Sequence, residues 1–306
     1  MLLTTVFTSG LIFSGCDVVY DYSSCRDTVV RFRYTYRGAD RFDSYISKID
    51  YYLFNDAGEF VDELDHVAGT PSMVDVSELP DGSYTVVALA NLDDYASLPE
   101  LNTINLDQFA ITVTQLHNSA RGKFANGDPL FWGEQRFHIG GGYKSLYISE
   151  MACIHCLLTV KVEWEGVPEH SEGYRFHLDG IGEEVAMHAT DRDLVIDNKT
   201  HPNAKYSDAG MAEDVPLRRF ALQAQLCTLR YTDDNMPSFQ LMHGETPVLK
   251  QPLSIGEVFS RWDRHPDRDP VQDYELRIVI NRNGGITLYP SLAVDVADWQ
   301  DGGILK

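Results

Sequence analysis

Val30-Arg31-Phe32-Arg33-Tyr34-Thr35-Tyr36 puts one Val, one Phe and two Tyr on one side of an extended chain, and two Arg and one Thr on the other. Successive side chains of a strand point to opposite faces, so this segment reads as a half-buried strand with a basic outer face. The same period of two recurs on both sides of it. Ile49, Tyr51 and Leu53 alternate before the turn Asn55-Asp56-Ala57-Gly58, and Phe60-Val61 begins the return strand of a hairpin. Leu79-Pro80-Asp81-Gly82 is a turn that feeds Tyr84-Thr85-Val86-Val87-Ala88-Leu89-Ala90, which is apolar on both faces and therefore central in its sheet. Further strands are expected over Ile111 to Leu116 and Leu146 to Ile148.

The second half follows the same pattern. Leu158, Val160, Val162 and Trp164 share a face, as do Tyr174, Phe176 and Leu178. Phe220, Leu222, Ala224 and Leu226 are expected on one face of a longer strand. Tyr274, Leu276, Ile278 and Ile280 lead into the turn Asn281-Arg282-Asn283-Gly284-Gly285, with Ile286 and Leu288 after it. Helical periodicity is scarce, and Gly256 to Trp262, with Val258, Phe259 and Trp262 at helical spacing, is the best short candidate for a helix. Short strands punctuated by Gly, Pro, Asn and Asp predict an all-β chain of antiparallel sandwiches. The run Gly140-Gly141-Gly142 precedes a domain boundary expected near Glu150.

At 306 residues the chain can bury two cores, and its 43% hydrophobic and 23% charged content is that of a globular protein. A net charge of -21 repels a polyanion over most of the surface, so no nucleic-acid partner is expected. Met1 to Gly15 is mostly apolar and shorter than the roughly 20 residues a spanning helix needs. It fits the apolar stretch of a signal peptide. Ser14-Gly15-Cys16, with acidic sequence starting at Asp17, resembles a lipobox, which makes Cys16 the candidate lipidation site. The alternative is a buried N-terminal strand with a core cysteine.

Four further cysteines remain: Cys25, Cys153, Cys156 and Cys227. Cys153-Ile-His-Cys156 has the spacing of a zinc or redox half-site, but a second ligand pair is missing and the motif runs into a strand. Residues three apart on a strand face opposite ways, so the two thiols are expected to be structural. No nucleophile elbow, zinc-protease motif, phosphate loop or dinucleotide glycine pattern occurs, and no enzyme activity, metal or cofactor is expected. His155, His170, His177, His188 and His201 show no ligand spacing with carboxylates, and Asp93-Asp94, Glu183-Glu184 and Asp233-Asp234 are adjacent acids rather than facing ones. The loop Asp263 to Asp269 reads as exposed charge. A glycan-binding surface would draw on aromatics such as Tyr95, Trp132 or Tyr143.

In order along the chain stand Cys16-Asp-Val-Val-Tyr-Asp-Tyr22, Ser24-Cys25, the Val30 to Tyr36 strand, Asp43, and Tyr51-Tyr-Leu-Phe-Asn-Asp-Ala-Gly-Glu-Phe-Val61. After them come Leu79 to Leu92, Pro129-Leu-Phe-Trp-Gly-Glu134 and Leu157 to Val162. This order, coupled to Cys16, resembles the fimbrial anchor family of Bacteroidetes, the FimB-type proteins associated with fimbrillin. The chain departs from it at Arg37-Gly38, where the family often has Asn-Met, and at Leu89, where Trp is usual. The resemblance implies two transthyretin-like antiparallel β-sandwich domains in tandem. The expected division is a signal peptide over 1–15, a lipidated segment over 16–27, and domains over 28–150 and 151–306. It also implies outer-membrane attachment through an acylated Cys16 and a place at the base of a fimbria, with pilin subunits as partners. Pilins of that system join by strand donation, and an anchor that keeps its first strand ends the polymer. Leu292, Val294 and Val296 alternate with Ala293, Asp295 and Ala297, and Trp299 closes the segment. This last strand is the expected partner contact, or else an ordinary edge strand of the second core.

Overall fold

The computed structural model describes residues 28–291, except 94–95, 102–103, 114–126, 142–143, 191–192 and 207–209. Almost all regular structure is β. Val29–Arg33 lies inside a four-stranded sheet, antiparallel to Thr70–Asp75 and parallel to Leu146–Glu150. Val30, Phe32 and the following Tyr34 are buried, while Arg31 and Arg33 stay half-exposed on the other face. Arg33 pairs with Glu150 across the parallel partner and Arg31 reaches Asp40.

Facing this sheet is a five-stranded one, ordered Ala152–Cys153, Phe131–Ile139, Gly82–Ala90, Ile49–Asn55 and Phe60–Leu64. The first core fills the space between, with Phe32, Tyr34, Tyr51, Leu53, Val86, Ala88 and Phe131. Gly82–Ala90 is central, as its two-faced apolarity predicts: Val86, Ala88 and Ala90 enter this core, while Val87 and Leu89 enter a second, larger one. Gly133 supplies the close approach in that sheet, where a Cβ would stand 3.0 Å from the Phe32 ring and 3.2 Å from Met151.

A third sheet covers the other face, and it crosses residue 150. Ala96–Ser97 and Ala110–Val113 come from the first half, Gly182–Ala186 and Ala204–Tyr206 from the second. Ala110, Ile111 and Thr112 pair with Ala186, Val185 and Glu184. The larger core accordingly runs from Tyr52, Phe54 and Leu89 through Phe109 and Val185 into the second sandwich.

That sandwich packs the sheet Ala221–Leu229, His155–Trp164, Gln272–Ile280, Ile286–Ser291 on the sheet Gly210–Val215, Tyr174–Asp179, Ser238–His243, Thr246–Pro247. Leu158, Val160 and Val162 alternate inward beside Leu276 and Ile278, opposite Phe176, Phe239 and Leu241. His155–Trp164 and Gln272–Ile280 are parallel, so among the described residues each sandwich contains one parallel pair in an otherwise antiparallel sheet. Parallel pairing requires a long crossover, and these partners are far apart in sequence. The expected helix forms over Ile255–Arg261, capped by Ser254, with Val258 and Phe259 buried, and a further α-helical turn spans Phe42–Tyr45. Phe220 departs from expectation: it precedes the Ala221–Leu229 strand in a left-handed turn (φ 65°) and is 50% exposed.

Candidate functional site

Cys16 lies outside the described residues, and so do Leu292, Val294, Val296 and Trp299, together with Cys25, Tyr95 and Tyr143. The strand that leads to the C-terminal segment is described. Among the described residues Ile286–Ser291 is the edge of its sheet, paired with Gln272–Ile280 on one side. Pro290, which has no amide hydrogen, is tolerated there because an edge strand needs only half its ladder. Ile286 and Tyr289 are exposed, and the Arg277 guanidinium sits 5.1 Å from the Tyr289 ring centre while its Nη2 meets Glu163 at 2.6 Å. Between this edge and the helix runs a groove of about 750 Å³, lined by Leu253, Val258, Trp262, Ile286 and Leu288. Arg261 and Glu257 stand on its rim, 3.7 Å apart.

Trp132, read as a possible glycan platform, is 3% exposed, and its indole N–H donates to the Met187 carbonyl at 2.9 Å. It is a seam residue joining the two halves, since Phe131–Ile139 belongs to the first and Met187 to the second. Glu134 extends the seam by accepting from His188 Nδ1 at 2.9 Å and from the Ala189 amide at 2.8 Å. His188 Nε2 also lies 3.7 Å from Asp107. Sequence spacing missed this grouping because the three residues meet only through the shared sheet. His265 is likewise held between Asp233 (3.0 Å) and Asp263 (3.3 Å), which spends one member of an adjacent acid pair on a loop contact.

Cys153 and Cys156 point into different cores, as strand geometry requires. Cys153 Sγ is 3.3 Å from His155 Nδ1, which donates to the Leu130 carbonyl at 2.8 Å. Burial opposes ionisation of the Cys153 thiol, yet the adjoining His155 and the Arg230 charge bring it below the usual thiol range. Arg230 is buried, and its guanidinium donates to the carbonyls of Cys153, Pro266, Asp269 and Pro270. The charged loop is therefore pinned from inside by an arginine that sequence reading did not single out. His201 donates to the Cys153 carbonyl at 3.2 Å, and burial with Arg230 nearby lowers its pKa to about 3. Cys153, His155 and His201 are all buried, so the cluster is sealed from any substrate and serves as a polar plug where the halves meet. Cys227 is also buried, its thiol donating to the Asp128 carbonyl. Among the described residues no helix is long and apolar enough to cross a membrane.

The chain matches the family model for fimbrillin-A associated anchor proteins Mfa1 and Mfa2 over residues 15–301. It is similar in structure to the fimbrial anchor protein Mfa2 from Porphyromonas gingivalis, with a TM-score of 0.60 and 13% identity over 87% of this chain and 98% of that one. A candidate polysaccharide-binding protein from Bacteroides thetaiotaomicron gives a TM-score of 0.63 and 13% identity, over 87% of this chain and 98% of the other. A candidate adhesin from Bacteroides ovatus gives 0.63 and 14%, over 88% and 94%. No curated protein sequence matches. At these identities the likeness to solved structures establishes the β-sandwich fold.

Proposed function

The chain belongs to the family of fimbrillin-A associated anchor proteins, and from that premise we propose that it is an outer-membrane lipoprotein that holds a fimbria at the cell surface and limits its polymerisation. The family is one of structural fimbrial proteins that associate with fimbrillin subunits. The observation that carries the reading is the position of Val29–Arg33. This strand, the first among the described residues, is hydrogen-bonded on both sides, and its Val30 and Phe32 are wholly buried. A subunit that keeps such a strand offers its neighbour no vacant strand position there, which suits the end of a polymer rather than its middle.

In this reading residues 1–15 are removed, Cys16 carries the lipid, residues 16–27 tether the body, and 28–150 and 151–306 are its two units. Two or three acyl chains at about 0.8 kcal/mol per buried methylene give stable attachment where one chain does not. Leu292, Val294, Val296 and Trp299 continue from the Ile286–Ser291 edge and contact the fimbrial subunit.

Cys16→Ala should move the protein to the soluble fraction. Unchanged membrane partition, with no acyl mass on the N-terminal peptide, sinks the lipid assignment. Deleting residues 292–306 should leave a folded, lipidated protein whose fimbriae are shed into the medium. Fimbriae that stay attached to a folded truncation place the contact elsewhere. A tip or accessory subunit, or a surface glycan- or protein-binding lipoprotein, is the second reading, favoured by the relatives described as a candidate adhesin and a candidate polysaccharide binder. Glycan rather than pilin copurifying from outer membranes would select it.

A further inference from the structure

Arg219 and Phe220 form the tip of the connection that carries the chain from Gly210–Val215 in one sheet of the second sandwich to Ala221–Leu229 in the other, in a conformation their side chains resist. Both have positive φ, 51° and 65°. Arg218 and Ala221 exchange main-chain hydrogen bonds of 2.8 and 3.0 Å, closing a two-residue turn of the I′ class. The chain makes similar turns elsewhere, but none of them seats a bulky residue at both central positions. Asp197-Asn198 (51° and 60°) joins Leu194–Ile196 to Lys199–His201, and Arg37-Gly38 (51° and 78°), with an arginine at the first position and glycine at the second, joins Thr35–Tyr36 to Ala39–Asp40. Asn, Asp and Gly tolerate the left-handed region, whereas an aromatic residue there is an outlier. Strain of this kind points to a use for the side chains.

Core packing is not that use. Phe220 is half exposed, and Arg218 and Arg219 are exposed. Among the described residues neither guanidinium has a carboxylate within salt-bridge reach.

The surroundings extend the tip into a patch. The Trp164 amide donates to the Phe220 carbonyl at 3.2 Å, and the Glu165 amide to Ile280 at 3.0 Å. The Arg282 amide donates to the Glu165 carboxylate at 3.3 Å. The tip, the loop after Trp164 and the Asn281–Gly285 turn therefore lie side by side, spanning roughly two strand spacings, about 10 Å. Val167 in that loop is 79% exposed. One pole of the second sandwich thus gathers three arginines, one of them turned to the Glu165 carbonyl at 3.5 Å, and two exposed apolar side chains around the exposed Glu165 carboxylate, on a chain whose net charge is -21.

We infer that Arg218, Arg219, Phe220, Val167 and Arg282 form a docking knuckle for a carboxylate-bearing protein surface. The guanidinium fork matches a carboxylate in two-point geometry, and Arg and aromatic side chains are both enriched in protein interfaces. A free phosphate would leave Phe220 and Val167 without a counterpart. An anionic bilayer spreads charge over far more than a Debye length of about 8–10 Å, so it would face the acidic remainder of the chain as well as this pole. A partner carboxylate engages the pole alone. The inference does not depend on the role of the C-terminal segment.

The test uses the full chain and a variant in which Arg219→Asn is combined with Phe220→Gly. Asn-Gly is the preferred I′ sequence, so the variant keeps the turn while removing both side chains. The probe is a soluble glutamate–tyrosine copolymer measured by biolayer interferometry, with polyphosphate and phosphatidylglycerol vesicles as the competing chemistries. The full chain should bind the copolymer in a salt-sensitive, saturable manner. The double variant, and Arg282→Ala separately, should weaken binding by about tenfold or more, equivalent to about 1.4 kcal/mol, with thermal unfolding unimpaired. The inference fails if the full chain does not bind the copolymer, or if the variants bind it equally well. It fails equally if polyphosphate binds as tightly, or if phosphatidylglycerol vesicles are preferred over phosphatidylcholine ones in a manner lost in the variant.

Discussion

The Arg219-Phe220 turn makes a stability prediction that runs against the usual direction of mutation. A non-glycine residue in the left-handed region costs about 1–2 kcal/mol. Arg219 is exposed, so Arg219→Asn relieves most of that strain with no packing loss, a gain of about 1 kcal/mol. Phe220→Gly relieves a similar strain but incurs about 0.5–1 kcal/mol of glycine backbone entropy. It also gives up the buried half of the ring, about 1 kcal/mol, so its net effect should lie near zero. The double variant should therefore be more stable by about 1 kcal/mol, raising Tm by about 2–4 °C for a chain of this size. Reversible urea unfolding followed by far-UV circular dichroism gives the same quantity as a shift in midpoint at constant slope. A fall in Tm of several degrees for Arg219→Asn alone would show that its side chain makes contacts outweighing the turn strain, and the reasoning would be wrong.

His201 is held neutral with a pKa near 3 by burial and then by the Arg230 charge, well below its unfolded value of about 6.5. Between these values the unfolded state binds the extra proton, so the stability His201 contributes is full above about pH 6.5 and declines as pH falls toward 3. The slope should approach about 1.4 kcal/mol per pH unit in that window, and His201→Gln should remove that share of it. An unchanged slope in the variant would exclude His201 as the titrating group. Gly133→Ala sets a Cβ 3.0 Å from Phe32 and should cost about 1–3 kcal/mol, read from chemical denaturation; a neutral result would mean that ring shifts freely. Residues 151–306 expressed alone should fold, because the two sheets of the second sandwich close on each other. Gly182–Ala186 would lose its Ala110–Val113 partner, and the fragment should bind a hydrophobic dye near Val185. A fragment with no cooperative transition would make the two halves one folding unit.

Much of this fold was legible where the signal is local. Val30 to Tyr36 and Leu158 to Trp164 alternate because one face meets a core and the other meets water, and the structure repeats that alternation from Val30 to Tyr34 and from Leu158 to Val162, while Tyr36 and Trp164 at the strand ends are half-buried. Gly82–Ala90 lacked alternation because layers cover both its faces. What stayed hidden is non-local. Nothing near Ala110 announces that it pairs with Ala186. Trp132 looked available because an indole on a strand gives no hint that its N–H ends on Met187. Phe220 seemed to extend an apolar face, since alternation cannot reveal a left-handed backbone. The Glu134 and His188 contact and the Arg230 carbonyl cluster join residues separated by dozens of positions. Cys16 and the Leu292 to Trp299 segment rest on sequence alone, as both fall outside the described residues.

The parallel pairing of Val29–Arg33 with Leu146–Glu150 has a mechanical consequence. Tension on the chain ahead of Thr28 enters at the start of the first strand, while the chain leaves its parallel neighbour at the opposite end, beyond Glu150. Two parallel strands pulled this way slide along each other. Their hydrogen bonds are strained together, in shear, instead of opening one at a time as in a hairpin pulled apart from its ends. The antiparallel Thr70–Asp75 strand grips the other side of the same segment. A body tugged by its N-terminus, by flow or by a long appendage, would thus resist at its first strand with every bond of the ladder at once.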